Sequence, residues 1–533
     1  MKKITFLLLI LSSFIASAQE DAWVYFTDKP DAAFYLANPL EMLSQRSLDR
    51  RSAQNISLNV TDVPVSQTYI TSVTNATGIT VMAKSKWLNA LHVRGSITNI
   101  QNLESLTFVD HIQFANSNLN SRNASSTAIS EVNKNLETQV NFNYGNSSNQ
   151  IQMLNGHLLH QQDYTGNGKI IAVLDAGFPG VSTASPFQRL FDNNKILGGY
   201  DFVNRNANFY TGGNHGTLVL STMGGYVENQ LVGTAPDAAY YLFITEDVAS
   251  ENPVEESYWV EAAEMADSLG VDVINTSLGY FTYNNPNYSY EYADMNGTTA
   301  FISRGADIAF SKGMICVVSA GNSGGSSNPH ISAPADAINV LTVGAVNASE
   351  NYATFSSIGP SFDGRVKPDV VAQGQNAVIS DTSGNIGTAS GTSFSGPIIA
   401  GMVASFWQAL PNKTNAEIIQ LIKQSAHLYS NPTIQMGYGI PDFSSALSLK
   451  TPSFSAEKML LYPNPANNIV SLRLPNSVEN AEILLYNNLG QPVLKAVLPA
   501  NNATFSVSNL ASGIYLYKII SSNNTQTGKL IKN

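Results

Sequence analysis

Cysteine is almost absent. Cys316 is the only one in 533 residues, so no intramolecular disulfide can form. It sits in the apolar run Met314-Ile315-Cys316-Val317-Val318, which reads as a place for a small buried hydrophobe and not for a thiol nucleophile. Charge is scarce too, at 13% of residues, and positive charge is the scarcer sign. Against 39 Asp and Glu stand 28 Lys and Arg, leaving a net charge of −11. With no basic stripe to neutralise phosphates, nucleic acid is not an expected partner. No apolar run is long enough to cross a bilayer, so no transmembrane segment is expected. No run supplies the dense oxygen ligands of a calcium loop, and acidic pairs such as Glu255-Glu256 read as a solvated helix face.

What remains is ample for a large core, since 43% of residues are hydrophobic. Four regions differ in texture. Residues 1–18 read as an export signal: Lys2 and Lys3 precede the short apolar stretch begun by Phe6 to Leu11, and Ala16-Ser17-Ala18 offers small residues for cleavage before Gln19. Residues 19–149 are rich in Asn and Ser and predict a small α+β module. Strands are expected at Ile79 to Ala83 and Leu106 to Val109, helices at Val65 to Val73 and Ser85 to His92, and a polar linker from Asn116 to Asn149. Residues 150–450 alternate short apolar runs with helical patterns. The runs are Ile170 to Leu174, Tyr240 to Ile244, Val271 to Ile274, Met314 to Val318 and Val340 to Val343; the helices are Glu255 to Leu269 and Thr299 to Lys312. That alternation predicts an α/β fold, a doubly wound and mostly parallel sheet with helices on both faces. Residues 451–533 hold short strands broken by Pro463-Asn464-Pro465, Asn487 to Gly490 and Ala511 to Gly513, which predicts a small β-sandwich after a hinge near Pro452.

Three segments of the α/β region carry chemistry. The buried run Ile170 to Leu174 ends on Asp175, and the carboxyl ends of such strands form the functional crevice. Gly213-Asn214-His215-Gly216-Thr217 places a histidine at the start of a helical pattern running to Met223, with glycines that permit close backbone approach. Gly391-Thr392-Ser393-Phe394-Ser395-Gly396-Pro397 precedes a strongly apolar helix whose N-terminal N–H groups suit a developing oxyanion. Pro397 is expected in that helix's first turn. Spacing alone leaves Thr392, Ser393 and Ser395 as competing hydroxyls.

The three segments, in the order Asp, His, Ser, resemble the subtilisin-like (subtilase) serine peptidases. His215-Gly216-Thr217 matches the family's His-Gly-Thr, and Gly391 to Pro397 matches Gly-Thr-Ser-x-(Ser/Ala)-x-Pro, which selects Ser393. Asp175-Ala176-Gly177 departs from Asp-(Ser/Thr)-Gly by one hydroxyl. Ser319-Ala320-Gly321-Asn322-Ser323-Gly324 resembles the family's Ala-Gly-Asn loop, and the resemblance implies that Asn322 donates to the oxyanion. It further implies that Ser277, Leu278 and Gly279 pair with an extended substrate, with Ser319, Ala320 and Gly321 walling the specificity pocket opposite. The implied activity is peptide-bond hydrolysis by Ser393, with His215 as general base oriented by Asp175.

No cofactor is required by that chemistry. Many members of the family bind calcium, but the sequence offers no clear motif for it. By position the first module resembles the inhibitory propeptide of secreted subtilases. The tail resembles the type A sorting domain of the type IX secretion system, through Leu461 to Ala466, Leu485 to Gly490, Ser512 to Tyr515 and the basic finish Lys529 to Lys532. It implies the type IX machinery as a partner and a secreted or cell-surface destination reached via the periplasm. The competing reading is a catalytically silent subtilase scaffold used for binding or adhesion.

Overall fold

The computed structural model describes residues 19–120, 142–449 and, with breaks at 463–465, 474–479, 488–490, 500–503 and 521–524, residues 460–532. The export signal 1–18, most of the polar linker, the hinge at Pro452 and two of the turns in the tail lie outside the described residues. The chain up to Leu449 forms one compact unit, and the remainder forms a second.

In the first module, β1 (Gln19–Phe26), β2 (Ile79–Ser85), β3 (Ala90–Ser96) and β4 (Val109–Phe114) form an antiparallel sheet in the order β2-β3-β1-β4. Two of its helices are α1 (Gln45–Ala53) and α2 (Gln67–Thr74), the second close to the expected one. The helix expected at Ser85 to His92 does not form. Those residues are the end of β2, a turn, and the start of β3, and Asn89 holds a left-handed φ of 50° in the turn. The reason is tertiary: the Glu264 carboxylate accepts hydrogen bonds from Ser85 Oγ (2.7 Å), Lys86 N (2.9 Å) and Trp87 N (2.9 Å). The strand expected from Leu106 begins only at Val109, because Leu103–Ser105 closes a helical turn just before it.

The second part of this unit is built on seven parallel strands. They are β5 (Ile170–Asp175), β6 (Ile196–Asp201), β7 (Ala239–Ile244), β8 (Val273–Thr276), β9 (Ile315–Ser319), β10 (Leu341–Val346) and β11 (Val370–Gln373), in the order β11-β10-β9-β8-β5-β7-β6. Side chains alternate across the sheet. Ile171, Val173, Val273, Ile315 and Val317 pack on one face with α3 (His215–Gly224) and α6 (Thr392–Ala409). Ala172, Leu174, Ile274, Cys316 and Val318 pack on the other with α4 (Val254–Leu269) and α5 (Phe301–Ser311). Both faces being covered is why these strands read as continuous apolar runs.

The first module joins the second of these cores. Trp23 of β1 stacks on Phe301 of α5 at a centroid distance of 4.9 Å and donates to Ser257 Oγ of α4 at 2.8 Å. Beside it, Arg50 and Arg51 of α1 both pair with Asp267 of α4, the latter at 2.6 Å, and Arg51 and Lys312 each reach Asp62 at 2.8 Å.

The tail unit has its own core. Leu460–Tyr462, Ile469–Arg473 and Thr504–Ser506 form one antiparallel sheet; Pro492–Pro499, Asn480–Tyr486, Gly513–Ile520 and Thr525–Lys532 form another. Val470 and Leu472 from the first meet Ile483, Leu485, Ile519 and Leu530 from the second, as in a sandwich.

Candidate active site

Asp175 is the last residue of β5 and lies at the carboxyl edge of the sheet, with its side chain 1% exposed. Its Oδ1 lies 2.8 Å from His215 Nδ1 and also accepts from the Ala176 N–H at 2.7 Å. Two glycines make that approach possible. A Cβ on Gly216 would lie 2.5 Å from the Gly177 carbonyl and 3.0 Å from Asp175 Cβ, while one on Gly177 would strike the Thr211 carbonyl at 2.2 Å. Asp175 Oδ2 is buried and has no hydrogen-bond partner among the described residues.

His215 opens α3. Nδ1 is committed to Asp175, which leaves Nε2 as the nitrogen free to exchange a proton with another group. The Asp175 charge raises its pKa; burial opposes that shift and the shared hydrogen bond adds to it. Its ring lies 6.1 Å from the ring of Phe394, the residue after Ser393, so the imidazole stands at the N-terminus of α6.

Ser393 lies within the first turn of α6, one residue later than its start, and not ahead of the helix. Pro397 is therefore inside the helix, in the second turn, a correction to the placement expected from sequence. The helix starts early because Asn322 Oδ1 accepts from both Thr392 N (2.9 Å) and Thr392 Oγ1 (3.0 Å), which takes up an N–H that would otherwise lack a partner. Asn322 Nδ2 and the Ser393 backbone nitrogen both lie close to Gly391. A Cβ at Gly391 would lie 3.6 Å from the one and 3.7 Å from the other. The Ser393 hydroxyl itself donates to the Ser277 carbonyl at 3.1 Å.

The remaining sequence candidates separate into two groups. Ser277 is buried against the turn that carries Ser393, Leu278 is half-buried and Gly279 is exposed. Ser319 and Ala320 are buried, the latter bonded to the Val343 carbonyl, so of that wall only Gly321 and Asn322 reach the surface. Unforeseen from the sequence is a cleft of about 350 Å³ beside His215, lined by Asp175, Leu278, Glu246, Asp247 and Glu251 among others. Burial holds the Glu246 carboxyl well above its usual range, with the neighbouring Glu255 adding to the shift, and burial raises Glu251 as well. The available signal was position: Glu246 and Asp247 follow the end of β7, the same sheet edge that carries Asp175. Among the described residues no three His, Cys, Asp or Glu side chains cluster as metal ligands.

A hydroxyl at a helix N-terminus, with a carboxylate-paired imidazole beside it and two amide nitrogens close by, is the equipment of acyl transfer, and the class it defines is the serine endopeptidases. The chain belongs to the subtilase family, whose model matches residues 166–440. Residues 21–131 match the peptidase S8 propeptide domain of Bacteroidota, and residues 460–533 match the secretion system C-terminal sorting domain. Subtilisin NAT from Bacillus subtilis subsp. natto is 31% identical over 300 residues, covering 56% of this chain and 70% of that protein. Subtilisin from Bacillus pumilus is 31% identical over 300 residues, covering 56% of this chain and 97% of its own. Among solved structures, the MycP3 protease from the type VII (ESX-3) secretion system aligns over 60% of this chain and 94% of its own, with 19% identity and a TM-score of 0.47. The protein is a secreted serine protease of this family, and its sorting tail marks it for type IX export.

Proposed function

We propose that Ser393 attacks the peptide carbonyl while His215 Nε2 takes its proton, and that Asp175 holds the imidazole tautomer and stabilises the imidazolium. The observation that carries this reading is the Asp175–His215 hydrogen bond at the N-terminus of the helix bearing Ser393. The tetrahedral oxyanion is held by Asn322 Nδ2 and the Ser393 N–H, a reading supported by both nitrogens lying close to Gly391. His215 then returns the proton to the leaving amine, and water hydrolyses the acyl-enzyme on the same base. Every proton and charge in this cycle is carried by a named protein group, so it calls for no cofactor. The segment of half-buried Leu278 and exposed Gly279 is the edge along which a substrate strand pairs.

The export route completes the reading. The signal 1–18 is removed before Gln19, the module 19–149 is a propeptide, and residues 451–533 engage the type IX machinery for delivery to the exterior. The test is fluorophosphonate labelling of the wild type and of Ser393→Ala, followed by peptide mapping. The label should sit on Ser393 and vanish in the variant. Equal labelling of both proteins sinks the nucleophile, and an unlabelled, fully processed wild type favours a silent scaffold. The same maps locate the processing sites.

A further inference from the structure

In a regular α-helix the carbonyl of Ser393 would accept from the N–H of residue 397. That residue is proline, which has no N–H to give. The carbonyl is nevertheless satisfied, from outside the helix, by Ser277 Oγ at 3.1 Å. The direction of that bond is set from behind: the Asn275 amide nitrogen donates to Ser277 Oγ at 3.1 Å, so the Ser277 proton is left for the Ser393 carbonyl. In return the Ser393 hydroxyl donates to the Ser277 carbonyl at 3.1 Å. Two serines 116 positions apart thus exchange a pair of bonds, one through each side chain.

We propose that Ser277 is a positioning residue for the nucleophile: its hydroxyl supplies the donor that Pro397 withholds, and so fixes the turn that aims Ser393. The arrangement rests on reading Ser393 as the nucleophile. It has a use that a normal helical bond would not have. A bond to residue 397 would tie the Ser393 backbone only to its own helix. The bond to Ser277 ties it to the end of β8, the strand whose continuation, Leu278 and Gly279, is the proposed substrate edge. Nucleophile and substrate edge are then held in one register.

The test is a double-mutant cycle on the full chain, measuring kcat and KM on a peptide substrate together with the rate of fluorophosphonate inactivation. With Pro397 in place, Ser277→Ala should lower kcat and the inactivation rate about tenfold, the value of one neutral hydrogen bond. KM should stay nearly constant, because the Ser277 backbone is unchanged. In the Pro397→Ala background residue 397 regains its N–H, and Ser277→Ala should then cost less than about threefold. An equal cost in both backgrounds, in variants whose melting temperatures show them folded, overturns the proposal and leaves a simple packing role. So does a Ser277→Ala enzyme with unchanged kcat. The underlying reading fails separately, through a wild-type label that maps away from Ser393.

Discussion

Two carboxylates of the same compact unit face cations from buried positions, and the cations differ. Asp175, 1% exposed, faces His215, whose side chain remains 37% exposed at the edge of the cleft. Asp267, fully buried, faces Arg50 at 5% and Arg51 at 1% exposure, where the first module meets α4. Imidazole can release its proton near neutrality, and guanidinium does not. The first pair is therefore suited to moving a proton, and the second to fixing a contact. A buried pair of permanent charges needs both members, since removing one strands the other out of water. The first module thus carries half of a charge arrangement whose other half belongs to the peptidase part.

The sharpest way to separate the two pairs is Asp175→Asn. Peptide turnover should fall about 10⁴-fold through loss of the imidazole tautomer, while urea unfolding of the unprocessed chain changes less than in Asp267→Ala. A fall of less than tenfold breaks the proton-moving half of the comparison. Next in size is Asp267→Ala, made in a Ser393→Ala background so that self-processing does not intervene. With Arg50 stripped of its carboxylate and Arg51 left to Asp62 alone, unfolding free energy should fall by about 3–5 kcal/mol; a loss below about 1 kcal/mol would show that the contact does not depend on Asp267.

The third prediction concerns pH. The folded pKa of His215 is raised above its unfolded value, so the pair's stabilisation is fully present below about pH 6.5 and is lost as pH climbs through the raised value. Activity runs the opposite way, because the general base must be neutral. The acid limb of kcat/KM should lie above pH 6.5 in the wild type and move down in Asp175→Asn. An acid limb unmoved by the substitution would remove Asp175 as the cause. Smallest of all is an exposed control in the tail unit, the Lys495–Glu482 pair, with side chains 63% and 29% exposed. Glu482→Gln should change the stability of that unit by less than about 0.5 kcal/mol.

The strands of the central sheet were legible because burial on both faces forces unbroken apolar runs, as at Ile170 to Leu174. The segments around His215 and Ser393 stood out because close approach at a helix start calls for glycine and small residues, but it was the family resemblance that singled out Ser393 from Thr392 and Ser395. What was not legible depends on residues remote in the chain. The turn after Ser85 exists because Glu264, nearly 180 positions later, collects its donors. The placement of Pro397 follows from Asn322 starting the helix at Thr392, and the acidic cleft becomes visible only once β7 is known to lie next to β5.

The lone thiol gives the molecule a built-in gauge. Cys316 is fully buried on β9, with its sulfur 3.9 Å from the Ala306 carbonyl, and burial raises its pKa so that little thiolate forms. A maleimide can reach it only when that face of the sheet comes apart. Labelling time courses therefore report the opening frequency of the peptidase core without any engineered probe. With no second thiol to confuse the signal, they can be run before and after the first module is removed, timing how long the core stays shut on its own.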